Sequence, residues 1–293
     1  MTVAVVGPGA VGMTLAVGLA EAGEDVVLCG RGRAASDTLA VTLAEDEHGT
    51  RTQPMRSAGD PSQVRPVDWV VLATKIHQTE SAWPWLAALA GEGTRVVAAQ
   101  NGVDHRDRVP AGLRDAVAPA LVYINAERTG PGEVKARRTE RELVLPDDDA
   151  GHAAAALFGP TWIRTEVAPD FRTAAWRKLL TNVAANPITA LTGRRIEVLH
   201  EPAVAQLALD VLRETVAVGR AEGADLPDGS AEDTLAWLQA LSAGSTSSML
   251  QDREAGRPLE YDGLTGAVVR LAGQYGIDVP ANRTLLALTS ALG

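Results

Sequence analysis

The chain has 293 residues, of which 46% are hydrophobic and 22% are charged, a composition typical of a globular protein with two domains. A formal net charge of −10, without any basic run, argues against nucleic acid as a partner. Cys29 is the only cysteine, so an internal disulfide is excluded and a reducing compartment is expected. The sequence starts with a strand-like segment and has no apolar run of about 18 residues. We therefore expect a soluble, cytoplasmic protein that has no membrane partner.

A strand, a glycine-rich turn, a helix and a second strand follow one another at the start of the chain. Residues 3–6 are apolar and mostly β-branched, residues 13–23 have a helical pattern, and residues 25–29 form the second apolar run. The turn after the first strand has the sequence Gly7-Pro8-Gly9-Ala10-Val11-Gly12. In this context G-x-G-x-x-G is a dinucleotide-binding fingerprint, because its glycines allow a tight turn, close approach of a pyrophosphate and close helix packing. The N-terminus of the helix adds free N–H groups for the phosphates.

The residues after the second strand favour NADP(H) over NAD(H). NAD-binding versions usually carry an acidic residue there, which accepts a hydrogen bond from the ribose 2′-hydroxyl. Here the strand continues into Gly30-Arg31-Gly32-Arg33, without an acid. An arginine binds a 2′-phosphate with two hydrogen bonds, so Arg31 is the predicted contact. For Arg31 and Arg33 alike, the alternative is a solvated arginine in a turn. The role of Arg33 stays open.

Two further apolar runs predict buried parallel strands, each followed by a polar residue. Residues 68–74 end at Lys75, and residues 94–99 end at Gln100-Asn101-Gly102. Ligands bind beyond the carboxyl ends of the strands in an open parallel sheet. Lys75 and Asn101 are therefore predicted to share one sheet edge with the glycine loop and Arg31. A solvated strand end for Lys75 and a simple Asn-Gly turn for Asn101 are the alternatives.

The fold predicted from these elements is an N-terminal α/β Rossmann-type dinucleotide-binding domain followed by an all-α C-terminal domain. We place the first domain at residues 1–168 and the second at residues 169–293. Residues 39–61 predict short strands and loops, and residues 118–128 with 132–136 predict a hairpin. Pro84 and Pro187 interrupt helical patterns, so we expect a kink or a break at each.

The stretch from Phe171 to Thr192 carries a narrow polar stripe on an otherwise apolar helix. Lys178, Asn182 and Asn186 are spaced four residues apart, so each head is rotated by roughly 40° from the previous one. A solvated helix face normally carries charges and long polar chains rather than two asparagines. The pattern favours a buried helix whose stripe lines a polar site, and a polar seam between helices is the alternative.

Two residues of the C-terminal half stand out, Ser248 within TSSMLQD and Glu260 within RPLEYDG. Each also has an ordinary explanation, since Ser248 lies where a helix starts and Glu260 follows Pro258 near another helix start. From the residues alone these ordinary roles remain open. The histidines show no metal-ligand spacing, so no metal site is predicted.

Over essentially its full length, the chain resembles the ketopantoate reductases (2-dehydropantoate 2-reductases). The resemblance is carried by VVGPGAVG, the strand end at Lys75, QNG at residues 100–102, WRKLLTNVAANPITALTGR, and SSMLQD followed twelve residues later by Glu260. It implies NADPH-dependent reduction of 2-dehydropantoate to pantoate, a step towards pantothenate and coenzyme A. Pro8 is a departure, since the family commonly has another small residue there.

The resemblance also implies roles for individual residues. Lys178 would be the general acid and Glu260 its neighbouring substrate-binding carboxylate. The substrate's hydroxyl and carboxylate groups would be bound by Asn182, Asn186 and Ser248. Asn101 would link substrate and cofactor, and Lys75 would lie beside the cofactor ribose and the substrate carboxylate.

Other functions remain open at this stage. One is an NADP-dependent reductase of another 2-keto acid, or an enzyme similar to the β-hydroxyacid dehydrogenases, which also carry Lys-x3-Asn on a helix. The other is a non-catalytic NADP-sensing protein. Such a protein would not need a general acid, yet the candidate acid Lys178 is present in the sequence. The expected partner is a small 2-keto acid, and the all-helical second domain leaves a homodimer open.

Overall fold

The structure is a computed structural model that describes residues 1–31, 36–45 and 49–292; Gly32 and Arg33 therefore lie outside the described residues. The chain forms two compact units. The first comprises residues 1–100 and 104–171, and the second comprises residues 101–103 and 172–293. Residues 101–103 thus group with the helical unit, although in the chain they directly follow a strand of the first unit.

Within the described residues, the first unit contains one sheet of eleven strands. The strands are β1 (Thr2–Val6), β2 (Asp25–Cys29), β3 (Ser36–Glu45), β4 (Gly49–Ala58), β5 (Trp69–Leu72), β6 (Arg95–Ala99), β7 (Val117–Val122), β8 (Asn125–Gly130), β9 (Glu133–Arg137), β10 (Leu143–Pro146) and β11 (Thr165–Ala168). Their order is β11-β10-β7-β6-β5-β1-β2-β4-β3-β9-β8. The six neighbours from β7 to β4 are mutually parallel, which confirms the predicted Rossmann-type α/β fold.

Helices cover both faces of the parallel strands: α1 (Ala10–Glu21) and α3 (Asp149–Phe158) lie on one face, and α2 (Thr79–Leu89) lies on the other. Alternate residues of a strand point to opposite faces. Accordingly, Val3 and Val5 pack with the α1 and α3 side, whereas Ala4 and Val6 pack with the α2 side. Because β1 is buried on both faces, its sequence is a continuous apolar run rather than an alternating one.

Two strand predictions were wrong. Where short strands and loops were predicted for residues 39–61, the structure has two ten-residue antiparallel strands, β3 (Ser36–Glu45) and β4 (Gly49–Ala58). The first residues of β4 are largely exposed, so they lack the apolar periodicity that marks a strand with a buried face. The predicted strand at residues 118–128 is two strands: β7 pairs with β6 inside the sheet, whereas β8 pairs with β9 at the far edge.

The described part of the second unit is helical. Its helices are α4 (Phe171–Thr192), α5 (Pro202–Ala221), α6 (Ser230–Ala240), α7 (Ser248–Glu254), α8 (Thr265–Tyr275) and α9 (Pro280–Ser290). Trp176 of α4 packs against α5 where Gly219 leaves room, since a Cβ there would lie 2.9 Å from the indole ring. On α5, the Glu214 carboxylate accepts hydrogen bonds from the backbone N–H groups of Ala281 and Asn282 at the start of α9. The helix α5 therefore joins α4 and α9 in this unit.

Both prolines that were expected to kink or end a helix lie inside continuous helices, so the prediction of an end is wrong. Helix α2 includes Pro84, and α4 continues five residues beyond Pro187, to Thr192. A proline removes one hydrogen bond from the helix, and at Pro187 burial of the surrounding residues outweighs that loss. Residues 183–190 of α4 are all buried.

Among the described helices, none is both long and apolar enough to cross a membrane. In the same described part of the chain, no group of three or more His, Cys, Asp or Glu side chains is arranged to hold a metal ion.

Candidate active site

Lys178 lies near the middle of α4 and donates a hydrogen bond from Nζ to Asn101 Oδ1 at 2.8 Å. Asn101 begins the turn that follows β6, and the next residue, Gly102, has a φ of +94°, which a side chain would disfavour. The turn therefore presents the Asn101 amide to Lys178 within the second unit. Both residues were predicted from the sequence, but their direct hydrogen bond was not.

The Lys178 ammonium lies in a low-dielectric environment. Burial lowers the pKa of Lys178 from 10.5 to about 8, and the negative charge of Glu260 partly opposes that shift. Glu260 itself is 5% exposed and lies before α8. An ammonium with a pKa near 8 is charged at neutral pH and is a far better proton donor than an ordinary lysine. The structure thus places the Lys178 ammonium in hydrogen-bond contact with Asn101 and under the electrostatic influence of Glu260.

The other two members of the stripe, Asn182 and Asn186, each have a buried side-chain nitrogen. Among the described residues, neither Nδ2 atom has a hydrogen-bond partner. An unsatisfied buried donor costs about 1–3 kcal/mol, so protein interiors usually pair such groups. Two unpaired amide donors on the same helix as Lys178 fit a ligand that brings its own oxygen acceptors. This observation favours the site interpretation of the stripe over the polar seam.

Ser248 is the exposed first residue of α7, and the preceding residue caps that helix. Ser247 Oγ accepts a hydrogen bond from the Leu250 N–H at 3.0 Å and lies 2.7 Å from Thr189 Oγ1 on α4. Sequence reasoning singled out Ser248 and missed both Ser247 and Thr189. The Ser-Ser pair before a helix is a capping signal, and Thr189 lies three residues after Asn186, so both could have been considered.

The glycine-rich turn of the first unit leaves space beside one glycine and none beside the other two. A Cβ on Gly7, where φ is +96°, would lie 2.5 Å from the backbone nitrogen of Thr74, and one on Gly12 would lie 2.2 Å from the carbonyl oxygen of Gly7. A Cβ on Gly9 would meet no atom within 4 Å. Helix α1 begins at Ala10 with Gly9 as its N-cap, and no side chain caps it. Residues 7–12 therefore fit a phosphate-binding turn.

Arg31 follows β2 and is exposed, with Nη2 donating to Ser81 Oγ at 3.2 Å. The preceding residue, Gly30, packs against the ring of Pro8, since a Cβ there would lie 2.7 Å from Pro8 Cδ. The unusual proline of the turn thus contacts the residue next to Arg31. This contact brings the phosphate-binding turn and Arg31 together at the carboxyl ends of β1 and β2.

Lys75 is half-buried and lies directly before a 3-10 turn at Ile76–Gln78. Close by, Gln100 at the end of β6 donates from Nε2 to the carbonyl oxygen of Thr74 at 2.9 Å and to Thr79 Oγ1 at 2.8 Å. These bonds connect the ends of β5 and β6 to the start of α2. The role of Gln100 was not predicted, because a single glutamine in a turn carries no periodic signal.

Comparisons with known proteins agree with this geometry. Residues 3–149 match the family model described as ketopantoate reductase PanE/ApbA, and residues 170–293 match its C-terminal model. A 2-dehydropantoate 2-reductase of Caulobacter vibrioides is 41% identical over 99% of this chain and 98% of its own length. One from Mycobacterium tuberculosis is 38% identical over 99% of this chain and 97% of its own length. A solved ketopantoate reductase family structure from Ralstonia eutropha JMP134 has a TM-score of 0.89 at 34% identity, covering 100% of this chain and 98% of the other.

Alanine substitutions at Gly7 and Gly9 are expected to separate folding from dinucleotide binding. Gly7→Ala places a Cβ against backbone at a positive φ, so we expect the free energy of unfolding to fall by about 2–4 kcal/mol. Gly9→Ala meets no protein atom and should leave stability within about 1 kcal/mol of the unmodified protein. Its Cβ would nevertheless occupy the space beside the turn, so dinucleotide affinity should fall at least about tenfold.

Urea denaturation and dinucleotide titration of the two variants check this expectation. Equal loss of stability in both variants would contradict the packing difference between Gly7 and Gly9, and unchanged affinity in Gly9→Ala would show that the turn does not contact the dinucleotide.

Proposed function

The chain belongs to the ketopantoate reductase family, and on that premise we propose that it reduces 2-dehydropantoate to pantoate with NADPH as the reductant. The observation that carries the proposal is the Lys178 ammonium. Its pKa is lowered by burial, it donates a hydrogen bond to Asn101, and the negative charge of Glu260 acts on its pKa. Two unpaired amide donors occupy the following turns of the same helix. An acid next to oxygen-binding donors is what reduction of a hydroxylated keto acid requires.

We assign the proton-transfer step to Lys178. NADPH held by residues 7–12 and Arg31 would supply the hydride for the ketone carbon, so negative charge would develop on the ketone oxygen. Lys178 donates a proton from Nζ to that oxygen, and its positive charge stabilises the developing alkoxide before the proton moves. Asn101 Oδ1 accepts a hydrogen bond from the ammonium and so orients the donor. After the transfer, solvent reprotonates the neutral amine.

We assign substrate recognition to Asn182, Asn186, Ser248 and Glu260. The two asparagines offer buried N–H donors for the substrate's carboxylate and hydroxyl oxygens. The Glu260 carboxylate accepts from the substrate hydroxyl, and it also keeps the pKa of Lys178 above the value that burial alone would give. The Ser248 hydroxyl is exposed at the start of α7, where a ligand can reach it.

We assign dinucleotide binding to residues 7–12, Arg31, Lys75 and Asn101. The turn at residues 7–12 presents backbone N–H groups at the start of α1, and the open space at Gly9 supports this role. Arg31 is exposed and cationic, and no acidic residue follows Cys29 directly, so a 2′-phosphate meets attraction there rather than repulsion. This charge arrangement supports NADPH rather than NADH.

The substrate assignment is tested by comparing 2-dehydropantoate with a panel of 2-keto acids that includes its analogue lacking only the 4-hydroxyl. When the hydroxyl is absent, the buried polar groups that bind it are left without a hydrogen-bond partner. We therefore expect kcat/KM for the analogue to be at least about 100-fold lower. NADPH oxidation monitored by absorbance gives both values. Equal kcat/KM for the two compounds would point to another 2-keto acid as the substrate.

Arg31→Ala should weaken NADPH binding about 10- to 100-fold and leave NADH binding nearly unchanged. The lost charge-assisted contact is worth roughly 1.5–3 kcal/mol, and only NADPH carries the 2′-phosphate. Arg56→Ala is the matched control, since it removes the same charge from the same unit at a side chain bonded to Asp25. Fluorescence titration with each dinucleotide measures the effect. If both dinucleotides weaken equally, Arg31 does not recognise the 2′-phosphate.

The rate of reduction should fall as pH rises through about 8. The acid is the protonated form of Lys178, whose pKa is about 8, so at pH 9 only about a tenth of the molecules retain the proton. Replacing Glu260 by glutamine removes the charge that raises this pKa, and the decline should therefore begin at lower pH. Profiles of kcat against pH for both proteins check these directions. A flat profile to pH 10 would contradict Lys178 as the acid.

Substitutions of Lys178 and Asn182 should separate chemistry from binding on one helix. Lys178→Ala loses the proton donor and the positive charge, so we expect kcat to fall at least about 10²–10⁴-fold, with NADPH affinity retained. Asn182→Ala should raise KM for the keto acid more than it lowers kcat, because its contact is present in both ground and transition states. Steady-state kinetics together with NADPH titration distinguish the two effects. A near-normal kcat in Lys178→Ala would favour the alternative that the stripe is a polar seam between helices.

A further inference from the structure

A pair of buried hydroxyl groups joins α4 to α7. Thr189 Oγ1 on α4 and Ser247 Oγ, the N-cap of α7, lie 2.7 Å apart, and the two residues are 0% and 6% exposed. They are separated by 58 residues in the chain. Hydrogen bonds between buried groups are specific in geometry, because each group has few other partners to choose from. The pair therefore fixes the start of α7 at one position along α4.

The direction of each hydrogen bond in this pair follows from its partners. Thr189 Oγ1 lies 2.7 Å from the carbonyl oxygen of Ala185, and since a carbonyl only accepts, Thr189 must supply that proton. Its oxygen is then the acceptor for the Ser247 hydroxyl. Ser247 Oγ in turn accepts the N–H of Leu250 at 3.0 Å. A directed chain of three hydrogen bonds thus runs from the first turn of α7 into the backbone of α4.

This series of hydrogen bonds ends in the turn of α4 that lacks a backbone hydrogen bond because of Pro187. Pro187 has no N–H, so the carbonyl of Val183 lacks its usual partner four residues later, and the turn that contains Asn186 is short of one hydrogen bond. Thr189 Oγ1 also lies 3.2 Å from the carbonyl oxygen of Asn186. The bond from Ser247 therefore anchors a turn that the helix holds only loosely by itself.

A second anchor fixes the other end of α7. Arg253, in the last turn of α7, donates from Nη1 to the carbonyl oxygens of Ala190 and Leu191 near the end of α4. With both ends attached, α7 is held in one register against α4. The two residues flanking the hydroxyl pair are then also held in one register: Asn186 three residues before Thr189, and Ser248 directly after Ser247.

We propose that Ser247 and Thr189 are positioning residues for substrate recognition, acting through Ser248 and Asn186. The inference rests on the proposed function, because it takes those two neighbours as substrate-binding groups. The hydroxyl pair determines the distance between the Asn186 amide on one helix and the Ser248 hydroxyl on the other. That distance must match the separation of two polar groups on a small keto acid. Loss of the pair loosens recognition of the acid and leaves proton donation by Lys178 in place.

The test compares Thr189→Val with Thr215→Val. Both replace a buried threonine hydroxyl by a methyl group of similar size, and Thr215 Oγ1, also 0% exposed, donates to the Val211 carbonyl in α5 at 2.8 Å. In Thr189→Val we expect KM for the keto acid to rise about 5- to 30-fold, kcat to change less than about threefold, and KM for NADPH to stay unchanged. In Thr215→Val we expect all three constants to stay within about twofold.

Conservative replacement separates positioning from packing. Thr189→Ser keeps the hydroxyl and should retain the KM of the unmodified enzyme, whereas Ser247→Ala should raise KM as Thr189→Val does. The double variant Thr189→Val/Ser247→Ala should raise KM by much less than the product of the two single effects, because both substitutions remove the bond between α4 and α7. Ser247→Ala also provides the measurement should Thr189→Val fail to fold.

The assays use whichever 2-keto acid the unmodified enzyme reduces with the highest kcat/KM. A wrong substrate assignment then appears in the profile of the unmodified enzyme, separately from the variants. The inference is overturned by an unchanged KM in Ser247→Ala, by an equal rise in KM in Thr189→Val and Thr215→Val, or by multiplicative effects in the double variant.

Discussion

Burial of one ammonium group is the constraint on which the candidate site depends. A lysine taken out of water pays a desolvation penalty, which in this protein lowers the pKa of Lys178 to about 8. The penalty is tolerated because Asn101 Oδ1 accepts a hydrogen bond and Glu260 contributes a negative charge. In the proposed mechanism, the same features that compensate the burial also prepare the group for chemistry, since they orient the proton and leave the charge available to an alkoxide.

The helix that carries Lys178 must therefore be rigid, and the sequence of α4 achieves this in an unexpected way. Pro187 removes a hydrogen bond directly after Asn186, one of the proposed substrate-binding residues. Packing compensates, because the residues around the proline are buried, and Thr189 connects the turn to the cap of α7. A local sequence signal for breaking a helix is thus overridden by tertiary contacts that lie more than fifty residues away in the chain.

This override explains how far the sequence could predict the structure. The glycine turn, the strands of the parallel core and the helix that carries Lys178 were predicted correctly, because each depends on local periodicity or on residues close together in the chain. The full length of strands β3 and β4 was missed, and for β4 the reason is that its first residues are largely exposed and carry little apolar pattern. The bond between Lys178 and Asn101, the Gln100 contacts and the Ser247–Thr189 pair all join distant segments. Periodicity within one segment contains no information about them.

The two kinds of recognition in the chain also differ in how they respond to substitution. The turn at residues 7–12 offers backbone N–H groups, which substitutions other than proline leave in place, whereas a Cβ added at Gly9 alters the space that they face. In the proposed site, recognition of the keto acid relies instead on side-chain groups such as those of Asn182, Asn186 and Ser248, each of which a single substitution deletes or reshapes. If α4 and α7 keep their register through Thr189 and Ser247, exchange at those three positions can change the accepted acid while Lys178 remains oriented. Substrate preference in this architecture is therefore free to change without rebuilding either the acid or the dinucleotide turn.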